Sequence, residues 1–197
     1  MRYVLGLTGG TGAGKSLISA ILQKKGAKII DADKLSREIT KEGGIALGEI
    51  DKAFPGVIKN GVLDRKALGR IVFSDKEKLL ILNEITHKYI IKLTKEEIEA
   101  SKGLIVLDAP LLFEAGEDKL CDKVIFVDAD DEIRLARIMK RDNLSIDDAR
   151  ARINARDLAV IKAKCDFVIL NDGDAEKLEK EIADIVSNCD GKDFFDR

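Results

Sequence analysis

Five short, mostly apolar runs punctuate the chain, at residues 3–7, 27–30, 104–107, 123–127 and 167–170, each followed by polar or turn-forming residues. Runs of this length without polar alternation predict strands buried on both faces. The segments between them carry a helical period instead. Leu17, Ile18, Ile21 and Leu22 recur on one face and stop at Gly26, and Leu35 and Ile39 do the same after the second run. Asp64 predicts an N-cap for a helix over 65–73, and Ser74 or Asp75 opens a long helical region through Leu79, Leu82, Ile85 and Tyr89, broken or kinked before Ser101. Residues 44–101 offer no central strand, only helical stretches around a Phe54-Pro55-Gly56 break and an Asn60-Gly61 turn. Further helices are predicted over 131–141, from the Ser145-x-x-Asp148 capping signal through Arg156, and over 175–186, with residues 191–197 a frayed tail.

Apolar strands alternating with helices imply an α/β fold with a parallel sheet covered on both faces. In such sheets, active groups gather at the carboxyl ends of the strands. Three of those ends hold informative residues: a glycine-rich stretch after the first strand, Asp31 and Asp33 after the second, and Asp108 after the third.

The glycine-rich stretch runs Thr8-Gly9-Gly10-Thr11-Gly12-Ala13-Gly14-Lys15-Ser16 and fits G-x-x-x-x-G-K-[ST] between a strand and a helix. That context makes it a phosphate-binding loop: its N–H groups turn inward, Lys15 reaches the β/γ-phosphates, and the Ser16 hydroxyl binds Mg²⁺. Asp108, closing a hydrophobic strand, is the candidate second carboxylate for the metal, although a strand-end aspartate is also a common turn former. Asp33 is the best candidate general base for an acceptor hydroxyl, with Asp31 its rival, although the position also suits an N-cap. Arg37, one turn on, faces the same way. Arg134, Arg137 and Arg141 recur at i, i+3, i+7 on one helix face, followed by Arg152 and Arg156. Such a stripe is either a solvated face or a lid that neutralises phosphate charge, and the glycine loop favours the lid for Arg137 and Arg141. His87, the only histidine, is expected to be structural by spacing alone.

Composition narrows the partners. Hydrophobic residues make up 45% and charged residues 36%, so the helix faces must be laced with Lys, Glu and Asp. A net charge of −2 argues against nucleic acid as the main partner. No apolar run approaches membrane-spanning length and the first strand begins at once, so a cytoplasmic protein without signal peptide or membrane partner is expected. Cys121, Cys165 and Cys189 lack metal or redox spacing and are expected to be reduced and incidental.

Asp108-Ala-Pro-Leu111 is not the D-x-x-G of a GTP-dependent switch, Asn171-Asp-Gly-Asp174 is not N-K-x-D, and no L-S-G-G-Q of a transporter ATPase occurs. A small-molecule kinase fits better, and the helical stretch of residues 44–101 is generous enough for a sizeable acceptor. A P-loop scaffold that only binds ATP would leave Asp33 and the arginine stripe without a role.

Along nearly its whole length the chain resembles the dephospho-coenzyme A kinase family. The resemblance lies in Gly6 to Ser16, Ile30-Asp-Ala-Asp33 with Arg37, Gly61-Val-Leu-Asp-Arg65 with Phe73, and His87. It continues in Asp108-Ala-Pro-Leu-Leu-Phe-Glu114, Arg137-Ile-Met-Lys-Arg141-Asp142, residues 149–155 and Asp166 to Asn171. It implies a P-loop kinase with a five-stranded parallel sheet in the order 2-3-1-4-5. It further implies a single domain over 1–197: core 1–43 and 102–190, a helical acceptor-binding insertion at about 44–101 and a lid at about 141–160. The implied reaction is transfer of the ATP γ-phosphate to the ribose 3′-hydroxyl of dephospho-CoA, with Mg²⁺, by a monomer or weak homo-oligomer.

Carried over by position, the catalytic residues would be Asp33, Lys15 and Arg141. ATP would lie on Gly9, Gly10, Thr11, Gly12, Ala13, Gly14, Lys15, Ser16, Leu17, Arg137 and Arg141. The acceptor side would be Thr8, Asp33, Arg37, His87, Leu111 and Glu114, and the metal would sit on Ser16 and Asp108. Three positions depart from the family pattern: Lys88 stands where a proline usually follows the histidine, and Arg134 and Arg156 stand where glutamines are usual. These exchanges add positive charge near the implied lid and acceptor cleft.

Overall fold

The computed structural model describes residues 2–188, so Cys189 and the tail expected to fray lie outside the described residues. The elements, in chain order, are β1 (Arg2–Gly9), α1 (Lys15–Lys24), β2 (Lys28–Asp31), α2 (Ala32–Ile39), α3 (Leu47–Ala53), β3 (Ile58–Lys59), β4 (Val62–Leu63), α4 (Arg65–Phe73) and α5 (Lys76–Ala100). They continue with β5 (Gly103–Asp108), β6 (Lys123–Asp128), α6 (Asp131–Asp142), α7 (Ile146–Ile153), α8 (Leu158–Lys162), β7 (Phe167–Leu170) and α9 (Ala175–Asn188). These fall into two compact units, one running through Ile30 and resuming at Ser101, the other spanning Asp31–Ala100.

The first unit is built on a five-stranded parallel sheet in the order β2-β5-β1-β6-β7, which is the expected 2-3-1-4-5 once the short β3–β4 pair is set aside. β1 is central because its run is apolar from Tyr3 to Leu7, and from Tyr3 onward every residue of the strand is buried. It pairs in register with β5 (Tyr3↔Leu104 to Leu7↔Asp108) and with β6 (Leu5↔Lys123 to Gly9↔Val127). The register carries the argument for a site: Asp108 ends β5 level with Leu7, just where β1 runs into the glycine loop. One core packs Leu5, Leu7, Ile18, Leu22, Val106, Ile125 and Val127 against Leu178 and Ile182 of α9. Burying each such side chain contributes on the order of 1.5–3 kcal/mol, so the sheet is the stiffest platform available for a phosphate loop.

In the second unit α5 packs against α2, α3 and α4. The expected break before Ser101 does not occur. α5 is one helix of 25 residues, and no Pro or Gly lies within it to stop the ladder. Ile90, Thr94 and Ile98 form its buried side. The Asn60-Gly61 turn closes a small antiparallel hairpin, with Ile58 opposite Leu63 and Lys59 opposite Val62. Two residues per strand are too few for alternation to show in the sequence. Asp64 caps α4 by accepting from the Ala67 N–H at 3.0 Å. The helix expected to run through Arg156 stops at Ile153, because Asp157 caps a new one and accepts from the N–H groups of Ala159 and Val160. Cys121 and Cys165 are free thiols, and burial raises both above the ordinary thiol range, Cys165 to about 11. Among the described residues no helix is long and apolar enough to cross a membrane.

Candidate active site

The glycine loop is fixed from three directions. Within it, the Ala13 N–H donates to the Gly10 carbonyl at 3.1 Å, closing a turn. Gly14 then takes φ +93° and serves as the N-cap of α1 without a side-chain bond, leaving that helix start open to an anion. A side chain at Gly14 would collide with the amide of Asn171. That asparagine, 3% exposed at the end of β7, donates from Nδ2 to the Ala13 carbonyl at 2.8 Å. From α6, Arg137 places Nη1 3.4 Å from the carbonyls of Gly12, Ala13 and Asn171, and Arg134 donates from Nε to the Thr11 carbonyl at 3.0 Å.

These donors all act on carbonyls. A trans peptide points its C=O and N–H in opposite directions, so tying carbonyls down on the α6 and β7 side turns the following N–H groups the other way. A concavity of such N–H groups is what an oxyanion of phosphate requires. Lys15 Nζ contacts Asp108 Oδ1 beside the loop, with side-chain exposures of 19% and 11%. Thr11, Ser16 and Leu17 are exposed. The structure therefore brings Gly9 to Leu17, Asp108 and Arg137 together.

Arg141 is not drawn to the loop. Its Nε and Nη2 each lie 2.8 Å from Asp142, which Arg152 also holds at 2.5 Å. These arginines, with Arg141's hydrogen bonds foremost, keep the Asp142 carboxyl below the ordinary aspartate range. Thr8 is fully buried and donates to the Pro110 carbonyl at 3.2 Å. Arg156 donates from Nη1 to that same carbonyl at 2.8 Å and grips Glu114 Oε1 from Nε and Nη2 at 3.0 and 2.6 Å. Leu111 is exposed beside this group.

The remaining expected residues belong to the second unit. Asp33 and Arg37 are exposed, in the first and last turns of α2, and His87 is half-buried on α5. The N-cap of α2 is Asp31, whose Oδ1 accepts from the Lys34 N–H at 3.0 Å. The cap that could have occupied Asp33 is thus supplied by its rival two residues earlier. Next to His87, Lys88 reaches both oxygens of Glu49 at 2.7 and 2.5 Å, and the Tyr89 hydroxyl donates to the same carboxylate at 2.5 Å.

Two participants were not assigned to the loop by the sequence. Asn171 carried a usable signal, since it closes a strand on the same edge of the sheet as Gly9 and Asp108. Arg134 carried none, because a helical wheel cannot tell an arginine aimed at a loop carbonyl from one aimed at water.

The sequence model of the dephospho-CoA kinase family matches residues 3–177. A dephospho-CoA kinase of Carboxydothermus hydrogenoformans is 41% identical, covering 97% of this chain and 96% of the relative. The crystal structure of TT1252 from Thermus thermophilus superposes with a TM-score of 0.82 at 32% identity, covering 95% of this chain and 97% of that one. Dephospho-CoA kinase from Campylobacter jejuni gives 0.68 at 31% identity, with 97% and 99% covered. With the phosphate loop, the strand-end aspartate and the sheet order all in place, the chain belongs to the dephospho-CoA kinase family.

Proposed function

We propose that this protein transfers the γ-phosphoryl group of ATP to the ribose 3′-hydroxyl of dephospho-CoA, forming CoA and ADP. The observation that carries the reading is the glycine loop with its carbonyls tied down and Lys15 resting on Asp108 beside it, within a chain of this family. Lys15 leaves Asp108 for the β/γ-phosphates when nucleotide arrives, which frees the carboxylate. Ser16 and Asp108 would then hold Mg²⁺: a hydroxyl and a carboxylate suit a hard cation that completes its shell with water and phosphate oxygens. When bound, the ion neutralises charge on the β- and γ-phosphates.

Asp33 takes the proton of the 3′-hydroxyl as the new O–P bond forms and the bond to the β-phosphate oxygen breaks. Arg37 and His87 contact the acceptor, as do Thr8, Leu111 and Glu114. Arg137 and Arg141 close over the phosphates, and Arg141 exchanges Asp142 for them as it does so. The enzyme works as a cytoplasmic monomer or weak homo-oligomer.

The test is ADP release from Mg-ATP with dephospho-CoA, shikimate, gluconate, adenosine or nucleoside monophosphates, with the product identified by mass. CoA formed from dephospho-CoA, with the other acceptors silent, is the expected result. Turnover on a different acceptor alone would overturn the acceptor assignment, and silence on all with ATP still bound would overturn the catalytic one.

A further inference from the structure

Arg134 is 4% exposed, an unusual state for a cation on a helix whose Asp131, Glu132, Lys140 and Arg141 are exposed. Burying a guanidinium is costly unless its donors are met, and here they are met unevenly. Nε donates to the Thr11 carbonyl at 3.0 Å, Nη1 lies 2.8 Å from the exposed carboxylate of Asp131, and Nη2 is buried with no hydrogen-bond partner among the described residues. That unmet nitrogen lies against the loop, since a Cβ on Gly10 would come within 2.9 Å of it.

Two consequences follow for the loop. The Thr11–Gly12 peptide plane is held by its carbonyl, which aims the Gly12 N–H to the opposite side. A full positive charge also sits in a water-poor place beside Gly10, where electrostatic effects are stronger than at the surface. A neutral side chain at this position, such as glutamine, can supply the first effect but not the second.

We propose that Arg134 is a positioning residue for the nucleotide, one that presets the Thr11–Gly12 peptide and adds buried positive charge to the phosphate loop, so tightening it on the triphosphate of ATP. The inference rests on the phosphoryl-transfer reading and deepens it. Its signature is a change in nucleotide affinity that leaves the acceptor untouched.

The test compares wild type with Arg134→Lys, Arg134→Gln and Arg134→Met by calorimetric titration with Mg-ATP, well below each protein's melting temperature, alongside KM for both substrates. Arg134 borders a cavity of about 420 Å³, so each of these smaller side chains can enter without a clash. Losing a charged donor should weaken Mg-ATP binding about 10-fold in Arg134→Met, and about 3-fold in Arg134→Gln, which keeps a donor for Thr11. Arg134→Lys should stay nearest to wild type, and KM for dephospho-CoA should hold within about twofold throughout. A merely structural role would lower the melting temperature and leave Mg-ATP affinity unmoved, which overturns the inference. Equal losses for both substrates overturn it too. If Arg134→Met does not fold, Arg134→Gln decides alone, and binding as tight as wild type counts against the proposal. Wild type that binds no Mg-ATP at all would bring down the phosphoryl-transfer reading itself, a result distinct from wild type and variants binding alike.

Discussion

In the sheet-bearing unit the candidate phosphate site is made of backbone. Gly9 to Gly14 contribute no functional side chain, and what matters is how Asn171, Arg134 and Arg137 hold their carbonyls. In the helical unit the candidate acceptor residues are side chains standing on α2 and α5: Asp33 and Arg37 exposed, His87 half-buried. Its local ties are surface pairs such as Lys88 with Glu49 and Lys59 with Asp64. Phosphate looks alike in every nucleotide and can be met by N–H groups, whereas an acceptor must be told from other hydroxyls. On the proposed reading the general task falls to backbone of the sheet-bearing unit and the specific one to side chains, Asp33, Arg37 and His87 in the helical unit and Thr8, Leu111 and Glu114 in the sheet-bearing one.

Removing one functional side chain from each unit tests that division most severely. Lys15→Ala should lower turnover by about 10³-fold, because charge developing on the transferred group loses the loop's own cation. Asp33→Asn should lower it by about 10²-fold or more while Mg-ATP binds nearly as in wild type. Single-turnover rates with titrations of both ligands check the pair. An active Asp33→Asn would break the comparison by leaving all the chemistry in the sheet unit, and unchanged turnover in Lys15→Ala would remove the glycine loop from the reaction.

A backbone site should also be fragile in a way a side-chain site is not. Gly14→Ala adds one methyl group, yet it meets both a left-handed φ of +93° and the amide of Asn171. It should cost about 1–3 kcal/mol of stability and loosen Mg-ATP as well, since the start of α1 must shift. Denaturant unfolding and nucleotide titration read the two effects. A variant as stable and as tight as wild type would show that the loop tolerates repacking and that its tethers matter little.

How much of this was legible in the sequence follows the same line. Each sheet strand announces itself as an apolar run, and the loop announces itself as glycines at fixed spacing, because both are local patterns. The tethers are not local: Asn171 reaches Ala13 across 158 residues, and Arg134 reaches Thr11 across 123. Arg134, Arg137 and Arg141 look equivalent on a helical wheel, yet one is buried on the loop, one spans the loop and β7, and one lies on Asp142. Only the fold, by putting carbonyl acceptors beside the first two, separates them. Asp31 and Asp33 are a milder case, since either could cap α2 and the geometry of the first turn decides for Asp31. Among the acceptor residues Asp33 stood out by its place after a strand and Arg37 by its spacing from it, whereas Thr8, His87, Leu111 and Glu114 stood out only through resemblance to a family, because none of them carries a periodic or spacing signal of its own.

The smallest effect belongs to the helical unit's surface. Glu49 accepts from Lys88 and Tyr89, and these bonds, Lys88's first, hold its carboxyl below the ordinary glutamate range while raising Lys88 above its own. A depressed carboxyl contributes stability above its unfolded value and loses it as pH falls through the folded one. A raised amine contributes below its unfolded value and loses it as pH rises through the folded one. The cluster should therefore act undiminished from about pH 6 to 9, weaken in acid below the usual glutamate range, and weaken in base only beyond the usual lysine range. Because the groups are exposed, Glu49→Gln should lower the melting temperature by no more than about 2 °C at pH 7, and less in high salt. Melting curves of wild type and Glu49→Gln at several pH values and two salt concentrations check this. Their difference should close below pH 4. A large, salt-insensitive loss would mean that the helical unit, like the glycine loop, is held by a desolvated polar network, and the contrast between backbone site and surface-paired helices would fail at this point.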